Sequence, residues 1–132
     1  MLQRITLHLA RSQGLPEGSI QHGYEITAPL DADGRLDSVE WCSRRAQCRV
    51  RRFWRGEPDQ RGLLVHRAGG VGGATWIIDY DQDRSEDDEP GYRLDTHTFR
   101  AGEYVSIRDA DGDLNTFKVA SVQPAAVEMA RV

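Results

Sequence analysis

The stretch from Phe99 to Val122 most constrains what this chain can fold into. Val105 and Ile107 alternate with Tyr104, Ser106 and Arg108, and Phe117 and Val119 alternate with Thr116 and Lys118. Successive side chains of a strand point to opposite faces, so a period of two marks two strands, each with one apolar face. Between them Asp109-Ala-Asp-Gly112 supplies turn chemistry, because Asp accepts backbone hydrogen bonds and Gly takes positive φ. A hairpin with one apolar face predicts a compact, mostly antiparallel β protein. It sets the architecture and leaves the activity open.

The same alternation recurs upstream. Ile5, Leu7 and Leu9 mark a strand over about Gln3 to Ala10, and Tyr24 and Ile26 share one face of a strand over about His22 to Ala28. Cys48 to Trp54, Gly62 to Arg67 and Ala74 to Tyr80 also read as strands, and the last two are predicted to pair across the Gly69–Gly73 loop. One helix is predicted, over about Ser38 to Gln47. Asp37 can cap it, Glu40 stands where its side chain can reach back to the cap amide, and Leu36 and Trp41 hold the staple positions. Val39, Cys42 and Ala46 would form its apolar face. The predicted core is Tyr24, Val39, Trp41, Val50, Trp54, Leu64, Trp76, Ile78, Val105, Ile107, Phe117 and Val119. The fold class is therefore α+β and β-dominated, with about six or seven strands. They would form a bent antiparallel sheet or a small, partly open β-barrel with one short helix.

A chain of 132 residues has the length of one domain. Residues 1–123 read as that β-rich domain and 124–132 as a C-terminal tail. The run at about 81–90 is dense in like charges and reads as a mobile acidic loop. No apolar run approaches the ~20 residues that cross a bilayer, and the alternating N-terminal segment is not a secretory signal. The cytoplasm is the expected location. Cys42 and Cys48 fit it as two buried, reduced thiols, too widely spaced for a C-x-x-C motif. A formal net charge of -4 argues against bulk attraction to nucleic acid or anionic lipid.

Several local patterns carry chemistry in other proteins. The glycines Gly69, Gly70, Gly72 and Gly73 could cradle an anion through backbone amides, with His66 and Arg67 as polar contacts. No Lys-Ser/Thr follows, so a flexible hairpin tip is the plainer reading. Arg49, Arg51, Phe53 and Arg55 have the character of a single-strand nucleic-acid face, with arginines on phosphates and a ring on bases. Strand alternation sets Val50, Arg52 and Trp54 opposite them, which places an arginine on whichever face is buried or demands a bulge. An internal ion-pair patch with a core tryptophan is the favoured reading. Two Asp-Ala-Asp-Gly turns, at Asp31 and Asp109, resemble calcium loops only superficially. Aligning their glycines with the sixth position of such a loop puts Pro29 or Ile107 at the first, and neither coordinates. Glu57, Asp59, Asp79, Asp81 and Asp95 are the carboxylates available for acid–base work, and only Asp79 adjoins a strongly apolar run. No catalytic residue, metal ligand or cofactor site is assigned. His8, His22, His66 and His97 lack the spacing of a local metal clamp.

Pro16-Glu-Gly-Ser19, His22-Gly-Tyr24, Cys48-Arg-Val50, Arg52-Phe-Trp54, Gly69-Gly70, Trp76, Asp79-Tyr-Asp81 and Gly102-Glu-Tyr-Val-Ser-Ile107 together resemble a family of small uncharacterised bacterial proteins with no assigned function. The resemblance implies a bacterial, free-standing domain and brings no activity with it. The function expected first is a non-enzymatic binding or interaction module, compatible with a homo-oligomer and with no membrane partner. A small-ligand or anion-binding barrel using the glycine loop, with or without enzymatic activity, is the second. A single-stranded nucleic-acid binder is the third, although the net charge makes nucleic acid the less expected partner.

Overall fold

The first strand lies in the interior of the sheet. The computed structural model describes residues 2–12, 14–67, 76–80, 89–90, 94, 97–108 and 112–125. Among them β1 (Leu2–Leu9), β2 (Ser19–Pro29), β3 (Arg49–Trp54), β4 (Glu57–His66), β5 (Trp76–Asp79) and the two-residue β6 (Glu89–Pro90) form an antiparallel meander. The hairpin of β7 (Tyr104–Arg108) and β8 (Leu114–Pro124) then returns to pair β8 with β1. The sheet order is β6-β5-β4-β3-β2-β1-β8-β7. Its two end strands, β6 and β7, approach each other, so the sheet curls into a half-barrel.

Ile5, Leu7 and Leu9 point inward from β1, Tyr24, Ile26 and Ala28 from β2, and Val105, Ile107, Phe117 and Val119 from the last hairpin. Each fully buried Ile, Leu or Phe contributes about 1.5–3 kcal/mol through the area it removes from water. Leu94 and Phe99 join this core from outside the strands. The Phe99 N–H donates to Gly34 O at 2.7 Å, which ties that segment to the Asp31–Gly34 turn. Asp31 Oδ1 accepts from the Asp33 and Arg35 N–H groups and Gly34 has φ 81°, the predicted turn chemistry. Of the second such turn only Gly112 is among the described residues. Strand β8 runs to Pro124 and Ala125 is buried, so the fold holds the chain through residue 125, past the predicted boundary at 123. Residues 126–132 lie outside the described residues, as do Gly69, Gly70, Gly72 and Gly73 and most of the acidic run, 81–88.

The helix departs from expectation in length and in facing. α1 spans Ser38–Ser43 and is followed by a single 3-10 turn, Arg45–Gln47. Asp37 caps it, its carboxylate accepting from the Val39 and Glu40 N–H groups at 3.0 and 3.1 Å. The Asp37 N–H donates to Pro29 O rather than simply awaiting Glu40. Val39 is 82% exposed, and Cys42 and Ala46 are exposed too, so the predicted apolar face is the outer one. A six-residue helix has no intrinsic stability to orient it. Trp41 orients it instead, because one buried indole outweighs three small side chains in apolar area.

Cys42 is therefore not the buried thiol predicted for it. Cys48 is buried, with its Sγ 3.3 Å from Arg44 O. Loss of solvent, with the nearby Glu40 carboxylate adding to it, pushes the Cys48 thiol up from 9.0 to about 11. No helix among the described residues is long and apolar enough to cross a membrane.

Candidate functional site

Strand alternation separates the two polar residues expected beside the glycine loop. His66 shares the inner face of β4 with Leu64 and pairs in register with Trp76. Its ring lies 4.7 Å from the Trp76 ring and 5.9 Å from that of Trp41, so it belongs to an aromatic cluster beneath α1. Arg67 turns the other way, its Nη2 3.6 Å from Asp79 Oδ2. The Asp79 side chain is only 4% exposed, so the Arg67 charge lies against a nearly buried carboxylate.

The arginine strand resolves in a similar way. Arg52 is the inward one: it lies over the Trp54 ring at 4.3 Å and reaches Glu57 Oε1 at 3.2 Å. The register of β3 against β4 also shifts between Arg52 and Trp54, so both an inward arginine and an irregularity occur. On the outer face Arg51 Nη1 sits 3.0 Å from Asp59 Oδ2, its Nε 3.7 Å from Glu25 Oε1, and its guanidinium over Phe53 at 4.8 Å. The partners are the neighbouring strands β2 and β4, which supply Glu25, Glu57 and Asp59. Arg49 and Arg55 are exposed, with Arg49 Nε 3.4 Å from Ala46 O. Among the described residues no group of three or more His, Cys, Asp or Glu could hold a metal ion.

A different surface gathers residues from distant parts of the chain. Tyr104 stands opposite Lys118 in β7–β8, Lys118 opposite His8 in β8–β1, and His8 opposite Gly23 in β1–β2. Gly23 in turn faces Phe53 in β3, and the His8 and Phe53 rings meet edge to face at 6.3 Å above it. A Cβ on Gly23 would collide with Leu7 O and stand 3.0 Å from Phe53 Cζ, so glycine is what lets these elements come together.

At the Tyr104 end of this row lies an open groove of about 660 Å³. One wall is the loop after β1, with Arg11 and Pro16, together with Ile20 at the start of β2; the other is Thr116, Lys118 and Tyr104. Arg11 donates its Nε–H to Pro16 O at 2.9 Å, which lays the guanidinium along the loop. Ile20 is 75% exposed and Tyr104 57%. Behind the rim, Ser19 Oγ lies 2.6 Å from His22 Nδ1 and accepts the Gln21 N–H. The His22 ring is packed edge-on against Trp54 at 4.6 Å, so this hydrogen bond fastens the start of β2 to the core. Local spacing could not reveal the groove, although the hairpin's alternation already turned Tyr104 and Lys118 outward.

Fold and groove together define a curled antiparallel β domain with a mixed apolar and cationic surface cleft. Comparison with protein-family models, with curated proteins and with solved structures gives no match for the chain.

Proposed function

We propose that this chain is a non-enzymatic binding module whose contact surface is the groove between the loop after β1 and the β7–β8 hairpin. The observation that carries the reading is the exposure of two large apolar side chains, Ile20 and Tyr104, as linings of one groove. Single exposed apolar residues are ordinary on protein surfaces, but two converging on one cleft mark a place where a partner removes them from water. The arginine strand supports a nucleic-acid face less well, because Arg51 and Arg52 already neutralise carboxylates of the same domain.

The test is retention of the purified protein on an array of immobilised peptides of varied charge and hydropathy. The Ile20→Ser, Tyr104→Ser double variant should unfold at the same denaturant concentration as the parent, since both side chains are already in water, and should lose retention. Equal retention by the two proteins overturns the reading. So does turnover in a general hydrolase screen that persists through repeated purification.

A further inference from the structure

We infer that the groove takes an extended acidic peptide segment bearing an aliphatic or aromatic anchor residue; this rests on the binding-module reading above. The argument begins with charge. Lys118 is the only lysine in a chain of net charge -4, and it stands on the groove between Tyr104 and His8. Neither Lys118 nor Arg11 forms an ion pair among the described residues, in contrast to Arg51 and Arg52 on β3. Among the described residues Glu17 is the one carboxylate that lines the groove. On a domain of net negative charge most of the surface favours basic partners, whereas the local cationic excess at the groove disfavours them and admits an acidic one.

The walls narrow the class further. Ala10, Pro16 and Ile20 are aliphatic or cyclic, and among the described residues Tyr104 is the one strongly exposed ring on the groove. A single-strand binder uses successive rings on which bases stack, together with a longer cationic track. An isolated small molecule is best held where most of its surface is enclosed, and this groove is broadly open to solvent. An extended peptide needs neither. It can lay one apolar side chain between Ile20 and Tyr104 and set carboxylates at alternate positions against Lys118 and Arg11. The groove also reaches Tyr104, the first residue of the end strand β7, so such a segment can run along the sheet margin.

Fluorescence anisotropy with the full chain and a fluorescein-labelled peptide of alternating leucine and glutamate tests this. Binding is expected to weaken as salt is raised. It should fall about tenfold or more in Lys118→Glu, equivalent to ~1.4 kcal/mol or more. Both Lys118→Glu and the milder Lys118→Ala change an exposed side chain, so their unfolding midpoints should match the parent. Equal binding of a leucine–glutamine peptide overturns the acidic preference. Tighter binding of oligothymidylate, sensitive to Lys118→Glu, overturns the peptide class. If the leucine–glutamate peptide does not bind while other peptides are still retained through Ile20 and Tyr104, the acidic inference alone is overturned. If no peptide is retained in that way, the reading beneath it is overturned too.

Discussion

The indole N–H of Trp41 donates to the main-chain carbonyl of Leu64 at 2.9 Å, in the buried interior where α1 meets β4. The bond joins a six-residue helix to the sheet at its only buried side chain. Trp41→Phe keeps most of the apolar area and removes the donor, leaving a buried carbonyl short of a partner at a cost of about 1–3 kcal/mol. Trp41→Ala should cost about 3–5 kcal/mol because a cavity opens as well. Urea unfolding midpoints measure both, and a Phe variant as stable as the parent would show that the hydrogen bond contributes nothing.

Gly23→Ala should be far more damaging than Gly34→Ala. At Gly23 a methyl group meets the Leu7 carbonyl, which β1 cannot move without breaking its register with β2. A loss of roughly 4 kcal/mol or more is expected there. At Gly34 the strain is one left-handed residue, about 1–2 kcal/mol, and the nearest atom is the Thr98 methyl group at 3.2 Å. Comparable thermal midpoints for the two variants would contradict the packing described around Gly23.

The two thiols should differ sharply towards a disulfide reagent such as DTNB. Cys42 is exposed and should react at once in the native protein, whereas Cys48 should react only on unfolding. The Cys48 proton is held more tightly in the folded than in the unfolded state, so this group's stabilising contribution is complete below pH 9 and is lost as pH rises towards about 11. The loss amounts to roughly 3 kcal/mol at most. Unfolding curves of the parent and Cys48→Ala through that range should converge as pH rises. Parallel curves would refute the assignment.

Arg51→Ala should change stability by about 1 kcal/mol or less, because its ion pairs are solvent-exposed. Arg52→Ala should cost about 2–4 kcal/mol, since its stem and guanidinium cover Trp54 inside the sheet. Chemical denaturation compares them directly, and a reversed ranking would mean that the outer face of β3 carries the stability.

The predictability of these features follows their range along the chain. Alternation at Ile5, Leu7 and Leu9 identified a strand, but nothing in those residues tells that β8 will pair with it from more than a hundred positions away. The predicted core omits all three, although Ile5 and Leu7 are fully buried and Leu9 is nearly so. The first part of β4, Glu57 to Gln60, is polar and carries no alternation; cross-strand arginines hold it there. Counting along α1 favoured Val39, Cys42 and Ala46, yet in fewer than two turns one tryptophan with a hydrogen-bond donor decides the facing. The groove joins Arg11, Ile20, Tyr104 and Lys118, and only the outward direction of the last two could be read locally.

The placement of β1 between β2 and β8 has a consequence for biosynthesis. As the polypeptide leaves the ribosome, β1 can pair with β2 early, while its other margin stays open until residues 114–124 have emerged. During that interval an apolar strand with unsatisfied main-chain groups is presented to the surroundings, a template on which nascent chains associate. Closure across so long a span is intrinsically slow. The yield of native protein in a cell should therefore depend on chaperone capacity more than its final stability alone would suggest.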